Sequence, residues 1–392
     1  MNKNILTTGV QNFINLNSDT DTMSVLLKKP IFNTVSNKEL TEQLEARKKC
    51  QKKLPTWFES PNIYYPNKRN IEQTSSEITA AYKANLVNGK TLIDLTGGLG
   101  VDSFFFSKKI ARVFHCEINE NLSKIAAHNF KVLEAKNIVV IPIDGISFII
   151  SQNQHFDWLY IDPSRRNEAK GKVFRLTDCT PDVSVQLDLF FEKANNTLIK
   201  TSPLLDISKG ISELNNVAEI HIIAVANEVK ELLWVLESGF LGETEVKTFN
   251  ISKKSQQEFN FYLSVEKNTI STFSKPLAYL YEPNAAIMKS GGFKIIGRKF
   301  DLQKLHANTH LYTSAQLIDF PGRCFRIIET YPFNNKAIKN TGIKKANISA
   351  RNFPISVADI RKKLKIKDGG ETFLFFITDN NEKLRVLRCE RF

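Results

Sequence analysis

Thr91-Leu92-Ile93-Asp94-Leu95-Thr96-Gly97-Gly98-Leu99-Gly100-Val101-Asp102 is the stretch that decides the fold. A short apolar run ends in a carboxylate, and a glycine-rich turn then opens a helix. Glycine is needed there because the backbone must turn tightly and let a ligand approach within contact distance. Outward from this point, apolar runs near 91–95, 112–117, 137–143, 157–161, 196–201 and 219–225 alternate with helix-length segments. Such alternation predicts an α/β fold with a parallel sheet covered on both faces. Two further runs, at 245–251 and 259–265, face each other across a polar turn and read as an antiparallel hairpin closing the sheet edge.

Three more carboxylates fall in step with the turn. Glu117 ends the second run, about twenty residues beyond Gly98, where a carboxylate takes ribose hydroxyls in nucleotide-binding sheets. Asp144 ends the third run and Asp162 the fourth, the latter in Ile161-Asp162-Pro163-Ser164-Arg165-Arg166. Parallel sheets bind ligands at the carboxyl ends of their strands, so four acids there point to a ligand site. A single Asp in such a place more simply caps the next helix.

A nicotinamide fingerprint would read GxGxxG or GxGxxA, whereas Gly98-Leu99-Gly100-Val101-Asp102-Ser103 puts serine third. The Asp94-x-x-Gly97-Gly98 form resembles instead the first motif of class I S-adenosylmethionine-dependent methyltransferases, which have a Rossmann-like sheet. Asp162-Pro163-Ser164 stands where nucleic-acid amino-methyltransferases carry Asn/Asp-Pro-Pro-aromatic. With the basic C-terminal modules, the pattern is similar to a bacterial family of class I methyltransferases, a resemblance that carries the fold and the cofactor but no particular reaction. In that family a ferredoxin-like domain and a THUMP-like domain follow the catalytic one. The likeness covers roughly residues 71–392.

The resemblance implies S-adenosyl-L-methionine as cofactor. Asp94, Thr96, Gly97, Gly98, Gly100 and Asp102 would form the methionine side of its site, Glu117 would hold the ribose and Asp144 the adenine amine. Asp162, Pro163 and Ser164 would lie beside the sulfonium and face the acceptor, Asp162 thus belonging to the cofactor site as well, and with Arg165 and Arg166 they would form the catalytic loop. Arg165 replaces the aromatic residue that stacks a flipped base, which argues against an exocyclic amine target. Methyl transfer needs mainly in-line alignment, so Asp162 could accept from an N–H while the arginines clamp a phosphate or neutralise a base carbonyl. One of them could instead pair with Asp162 or Asp178 and hold the loop. Gln73-Thr74-Ser75-Ser76-Glu77 could close over the cofactor, although Thr74-x-x-Glu77 also reads as a capping box. Thr201-Ser202-Pro203 could line the acceptor pocket or cap a helix.

Composition narrows the class. The 392 residues are 42% hydrophobic and 24% charged, which excludes wholesale disorder. No apolar run reaches the roughly 18 residues of a membrane-spanning helix, and the opening residues do not read as a signal peptide. The five cysteines are odd in number and lack a CxxC, which suits reduced thiols in a cytoplasm. His306 and His310 stand at i, i+4 without the Glu of a zinc protease motif, and no metal is expected.

Net charge is +13, and it is uneven: residues 334–392 carry 14 Lys/Arg against 6 Asp/Glu. This last segment reads β-α-β-β, with a helix from Ser356 bearing Arg361, Lys362, Lys363 and Lys365 as candidate nucleic-acid contacts. Near the other end, Ser36-Asn37-Lys38-Glu39 is a capping box, Leu40, Leu44 and Leu54 form an apolar stripe, and Pro55 ends the helix.

The reading is therefore an N-terminal helical region (1–70), a Rossmann-like S-adenosylmethionine-binding domain (71–268), a ferredoxin-like domain (269–333) and a basic THUMP-like domain (334–392). The function expected is methylation of a nucleotide in structured RNA, tRNA or rRNA, in the cytoplasm. Two rivals stand beside it: an RNA-binding protein whose fold keeps the cofactor but no longer transfers methyl, and a methyltransferase for a protein or small molecule.

Overall fold

A computed structural model describes residues 1–165, 175–253 and 255–392, without the side chains of residues 165 and 335–337. The chain divides into two compact units, Met1–Val217 with Leu233–Leu241, and Ala218–Leu232 with Gly242–Phe392.

The first unit begins with short helices. The helix Asn37–Lys53 carries the expected capping box: Ser36 Oγ accepts from Glu39 N–H, and Glu39 reaches back to Ser36 N–H. Leu40, Leu44 and Leu54 are buried. Pro55 stops this helix and also opens the next, Pro55–Glu59, where its missing N–H is not needed.

Strands β1 (Thr91–Asp94), β2 (Arg112–Cys116), β3 (Ile138–Ile141) and β4 (Phe156–Ile161) then alternate with helices Val101–Phe106, Glu120–Val132 and Gly145–Ser151. Two short strands follow, β5 (Ser164–Arg165) and β6 (Cys179–Thr180), which pair with each other antiparallel. Strand β7 (Ala194–Thr201) returns to the main sheet. The order β7-β4-β1-β2-β3 is parallel throughout. Leu92, Ile93, Leu159, Tyr160 and Ile161 are all buried, because a parallel strand under helices has no solvent face. The chain steps from β1 outward one way to β2 and β3, and the other way to β4 and β7. That reversal opens a crevice at the carboxyl ends of β1 and its neighbours.

The second unit opens with strands β8 (Val217–Val225) and β9 (Glu228–Glu237), the latter divided between the units at Leu232. They are joined by Ala226-Asn227, both at positive φ, as a two-residue hairpin requires. Strand β9 has no counterpart in the sequence reading. Its residues Glu-Val-Lys-Glu-Leu-Leu-Trp-Val-Leu-Glu are mostly good helix formers, and neighbouring strands override that preference. Strand β10 (Glu245–Ile251) runs parallel to β8 and antiparallel to β11 (Gln256–Tyr262). The hairpin is the expected one, but its ladder closes at Ile251↔Gln256, so the second strand starts earlier than 259. Leu263–Asn268 is helical instead.

Strands β12 (Tyr279–Pro283), β13 (Gln303–Lys304), β14 (Tyr312–Ser314), β15 (Gly322–Pro332), β16 (Asn347–Arg351), β17 (Thr372–Thr378) and β18 (Leu384–Arg391) form one seven-stranded sheet. Its order is β13-β14-β12-β15-β18-β17-β16. The β-α-β-β order of the last segment is present, with the helix Val357–Leu364 between β16 and β17. Phe375 and Ile377 pack in one apolar cluster with Leu280, Phe325 and Leu387, while Leu374 and Phe376 pack in another with Ile360 and Leu364. Strand side chains alternate faces, so the unbroken apolar run of β17 follows from burial on both sides.

One ion cluster ties this sheet across its strands. Glu282 on β12 is buried and accepts from Arg323 Nε at 2.7 Å and from Arg351 Nη2 at 2.6 Å. Glu282→Ala leaves two partly exposed guanidinium groups around an empty acceptor position and is expected to cost about 1–3 kcal/mol. Urea unfolding of the full chain measures this, and an unchanged midpoint would contradict the assignment.

Candidate functional site

The crevice is a cleft of about 370 Å³ within the first unit. It gathers the four strand-end acids Asp94, Glu117, Asp144 and Asp162, together with Thr96, Gly97, Gly98, Asp102 and Ser164. The glycine turn explains itself sterically. A Cβ on Gly97 would stand 2.1 Å from the His115 ring, and one on Gly100, at φ +86°, would stand 2.2 Å from Phe130. Gly98 is at φ +58°, and a Cβ there would make only an ordinary contact of 3.8 Å with the Thr96 carbonyl oxygen. Gly100 does not line the cleft; it sits one layer behind and lets the helix pack on Phe130.

Asp94 is fully buried. Its Oδ1 accepts from Thr96 N–H at 3.1 Å, and its Oδ2 accepts from Ser103 Oγ at 2.6 Å. Ser103 Oγ is also 2.9 Å from His115 Nδ1. Burial pushes the His115 imidazole down to about 3, so the ring is neutral. With the serine hydroxyl donating to Asp94, the imidazole Nδ1–H donates to that hydroxyl. Burial pushes the Asp94 carboxyl up to about 7, against the hydrogen bonds from Ser103 and Thr96, and the nearby Asp102 and Asp162 charges add to the rise.

The other acids are tied to backbone. Glu117 Oε2 accepts from Gly98 N–H at 2.8 Å and Oε1 from Asn119 N–H at 2.7 Å, which fastens the end of β2 to the glycine turn. Asp144 caps the helix Gly145–Ser151, accepting from Ser147 N–H at 2.8 Å, so the helix-cap role and the cleft position coexist. Asp162 N–H donates to Thr96 Oγ1 at 2.7 Å. The Asp162 carboxylate pairs with Lys200, and Asp178 accepts from Arg175 N–H at 3.3 Å. Pro163 is buried, and Ser164 Oγ donates to the Thr180 carbonyl at 3.4 Å. Arg166 lies outside the described residues, and so does the side chain of Arg165.

Asp102 plays a different part from the one its sequence position suggested. Its Oδ2 accepts from Ser75 Oγ and from Tyr160 Oη, each at 2.8 Å, and its Oδ1 lies 3.2 Å from the buried Lys83 Nζ. Burial opposes its charge, but Lys83 and Lys200 help hold the carboxyl below its ordinary value. The carboxylate therefore anchors the segment before helix Glu77–Ala84 to the cleft wall. The Thr74–Glu77 capping box does not form: Ser76 caps that helix, and Glu77 accepts from Thr56 N–H at 2.7 Å instead. Gln73, Thr74 and Ser75 line the cleft, as the closing segment was expected to. Thr201 Oγ1 takes the Trp234 Nε1–H at 2.9 Å, and residues 201–203 are not part of the lining.

Sequence reasoning missed Lys83, Tyr160 and Lys200. Tyr160 had a signal, two residues before Asp162 at the end of an apolar strand. The lysines had none, since a lysine near a helix or strand end ordinarily reads as solvated.

In the second unit, Arg361 is not a free phosphate contact. It donates to the Ala346 carbonyl at 3.2 Å and pairs with Asp368, closing its helix against β16. Lys362, Lys363 and Lys365 are exposed, and Lys365 ends the helix at φ +57°. His306 Nε2 lies 2.8 Å from Glu382 Oε1, while His310 stacks on Phe293 with ring centroids 3.7 Å apart. Among the described residues no group of three or more His, Cys, Asp or Glu side chains could hold a metal.

Asp94 makes the site pH-sensitive. Its carboxyl sits at about 7 in the folded chain against 3.8 ordinarily, so folding retains a proton that the unfolded chain releases. The stability it contributes is full below 3.8 and is lost as pH rises through about 7. Asp94→Asn cannot ionise. The wild type is thus expected to lose stability relative to Asp94→Asn by on the order of 3 kcal/mol from pH 4 to 7. Denaturant unfolding at several pH values tests this, and a pH-independent difference would refute it.

The comparisons with known proteins agree with this geometry. Residues 279–321 match the family model of a ferredoxin-like domain, and residues 322–391 match that of a THUMP domain-like module. A crystal structure of a "putative methyltransferase" from Porphyromonas gingivalis W83 is 29% identical, covers 99% of this chain and 98% of its own, and superposes with a TM-score of 0.89. An Escherichia coli "putative methyltransferase yhhF" is 19% identical over 44% of this chain and 88% of its own, with a TM-score of 0.31. M. capricolum TrmK, solved with S-adenosyl-homocysteine, is 14% identical over 41% of this chain and 68% of its own, with a TM-score of 0.33. Those two scores are too low to carry an argument. No curated protein matches the sequence. No helix among the described residues is long and apolar enough to cross a membrane. The chain thus has a Rossmann-like class I methyltransferase fold with ferredoxin-like and THUMP-like domains at its C-terminal end, and over nearly its whole length it is similar to the Porphyromonas protein.

Proposed function

We propose that the cleft binds S-adenosyl-L-methionine and that the protein methylates a nucleotide in structured RNA. The observation that carries this reading is the convergence of Asp94, Glu117, Asp144 and Asp162 on one cleft beside a glycine turn. The donor set fits such a ligand. A Cβ on Gly98 would meet nothing nearer than the Thr96 carbonyl oxygen at 3.8 Å, so a ligand can come close to the turn, and carboxylates border it. When bound, the cofactor supplies a methyl group activated on a sulfonium.

The protein's own residues divide the rest of the work. Asp94 takes the ligand's ammonium, and a cation there favours the ionised carboxyl over the protonated one. Glu117 trades its hold on Gly98 N–H for ribose hydroxyls, and Asp144 accepts from the adenine amine while capping its helix. The loop Asp162-Pro163-Ser164, pinned by Thr96 and by the β5–β6 pair, faces the acceptor. Arg165 and Arg166 belong to this proposed loop by sequence.

An RNA acceptor is supported by charge and by the THUMP-like match. Lys362, Lys363, Lys365 and Lys367 are all exposed on a module with a large cationic excess. Such a surface tracks phosphates without reading sequence. Cys50, Cys116, Cys179 and Cys389 are buried and outside any disulfide, in keeping with a cytoplasmic place.

Two measurements test the reading. Glu117→Ala is expected to weaken S-adenosylhomocysteine by about 1.5–3 kcal/mol in calorimetry, and unchanged affinity in a folded variant would remove Glu117 from the site. Lys362→Glu combined with Lys363→Glu is expected to weaken RNA retention about tenfold and to lower its salt slope by about two, with cofactor affinity unchanged. Arg361 is left intact there because it holds the fold. Labelled cofactor incubated with total RNA, followed by nucleoside mass spectrometry, names the product; no label in RNA would shift the case to a protein or small-molecule acceptor.

A further inference from the structure

Asp94, Asp102 and Asp162 all line the cleft, and two of the three have a lysine partner. Lys83 stands on Asp102 at 3.2 Å, and Lys200 pairs with Asp162. Lys200 is the penultimate residue of β7, and the β4–β7 register Ile161↔Ile199 sets it level with Asp162, the residue that follows β4. The Lys200 side chain is 12% exposed and that of Asp162 is 34% exposed, so the acid opens toward the cleft while its cation sits behind. The lysine is shielded from water and the acid only in part, so solvent screens part of the field between them.

Charge changes sign of importance during methyl transfer. The carbon–sulfur bond breaks, the sulfur keeps the bonding pair, and its positive charge disappears as the methyl joins the acceptor. A bare carboxylate beside that sulfur would stabilise the charged reactant more than the partly discharged transition state, and so oppose the reaction. A carboxylate already matched by an ammonium group presents a much weaker field while keeping its free oxygen as an acceptor.

We propose that Lys200 is a positioning residue that cancels the charge of Asp162 toward the reacting sulfur, and thereby sets how strongly the protein prefers a sulfonium ligand to the corresponding thioether. This rests on the cofactor reading above, in which Asp162 borders the transferred methyl. Lys83 serves Asp102 in a different way, since that carboxylate is also closed off by Ser75 and Tyr160. Among the described residues, Lys200 is thus the cation whose removal exposes the Asp162 charge to the ligand.

The test is the ratio of two affinities. Calorimetry with S-adenosylmethionine and with S-adenosylhomocysteine, which differ by the charged methyl, is run on the wild type and on four variants. Lys200→Met is expected to shift the ratio about tenfold toward the sulfonium. Asp162→Asn, which leaves Lys200 unmatched, is expected to shift it the other way. Lys200→Arg keeps the charge and the wild-type ratio, and the double variant Lys200→Met with Asp162→Asn returns close to it. A lysine that merely braced the loop would weaken both ligands by one factor, and an unshifted ratio in Lys200→Met and Asp162→Asn overturns the proposal while leaving the cofactor reading intact. Should Lys200→Met fail to fold, Asp162→Asn and Lys200→Arg decide it. Failure of the wild type to bind either ligand overturns the cofactor reading, and the proposal with it.

Discussion

A carboxylate taken out of water must be given donors, a cation or a proton, and the cleft of the first unit meets that demand in three different ways. Asp102 receives two hydroxyls and a buried lysine. Asp162 receives Lys200 and remains half open. Asp94 has a serine and a backbone N–H, with no cation paired to it among the described residues, and its carboxyl rises to about 7. The three sit close enough that the charges of Asp102 and Asp162 both add to the rise of the Asp94 carboxyl. This crowding is what the glycine turn, the capping serines and the N-terminal segment are arranged to support.

The glycine turn depends on a buried histidine that takes no proton. His115 lies under Gly97 and holds Ser103, which holds Asp94. A charged imidazole would keep that Nδ1–H donor and add a proton at Nε2, which is buried with no hydrogen-bond partner among the described residues, and burial prevents it. In the turn, Thr96 N–H donates to Asp94, Gly97 N–H to the Cys116 carbonyl, Gly98 N–H to Glu117 and Gly100 N–H to the Gly97 carbonyl. Ligand recognition in this sheet is therefore prepared by neutral and acidic groups, with the cations kept behind them.

The second unit uses charge for a different purpose. Glu282 gathers Arg323 and Arg351 from separate strands, and Arg361 closes its own helix against Asp368 and the Ala346 carbonyl. Cations that look alike in sequence thus fall into two groups. The arginines with planar, forked donors join elements, and the lysines around 362–367 stay in water, where a phosphate backbone could meet them.

Much of the architecture was legible locally. The strand–turn–helix at 91–106, the capping box at Ser36 and the β-α-β-β order of the last segment each follow from periodicity and turn residues within a dozen positions. So does the presence of Asp94, Glu117, Asp144 and Asp162 in one cleft, because parallel strands put their carboxyl ends at one edge. What stayed hidden depended on partners distant in the chain. Strand β9 reads as helix until its neighbours supply a ladder. Lys200 meets Asp162 across 38 residues because β7 pairs with β4 in one register, and Tyr160 meets Asp102 across 58 because a strand end passes under a helix start. A sequence states which side chains can carry a charge; which of those charges cancel one another is decided in space, by strand register and by the burial that makes an unmatched charge costly.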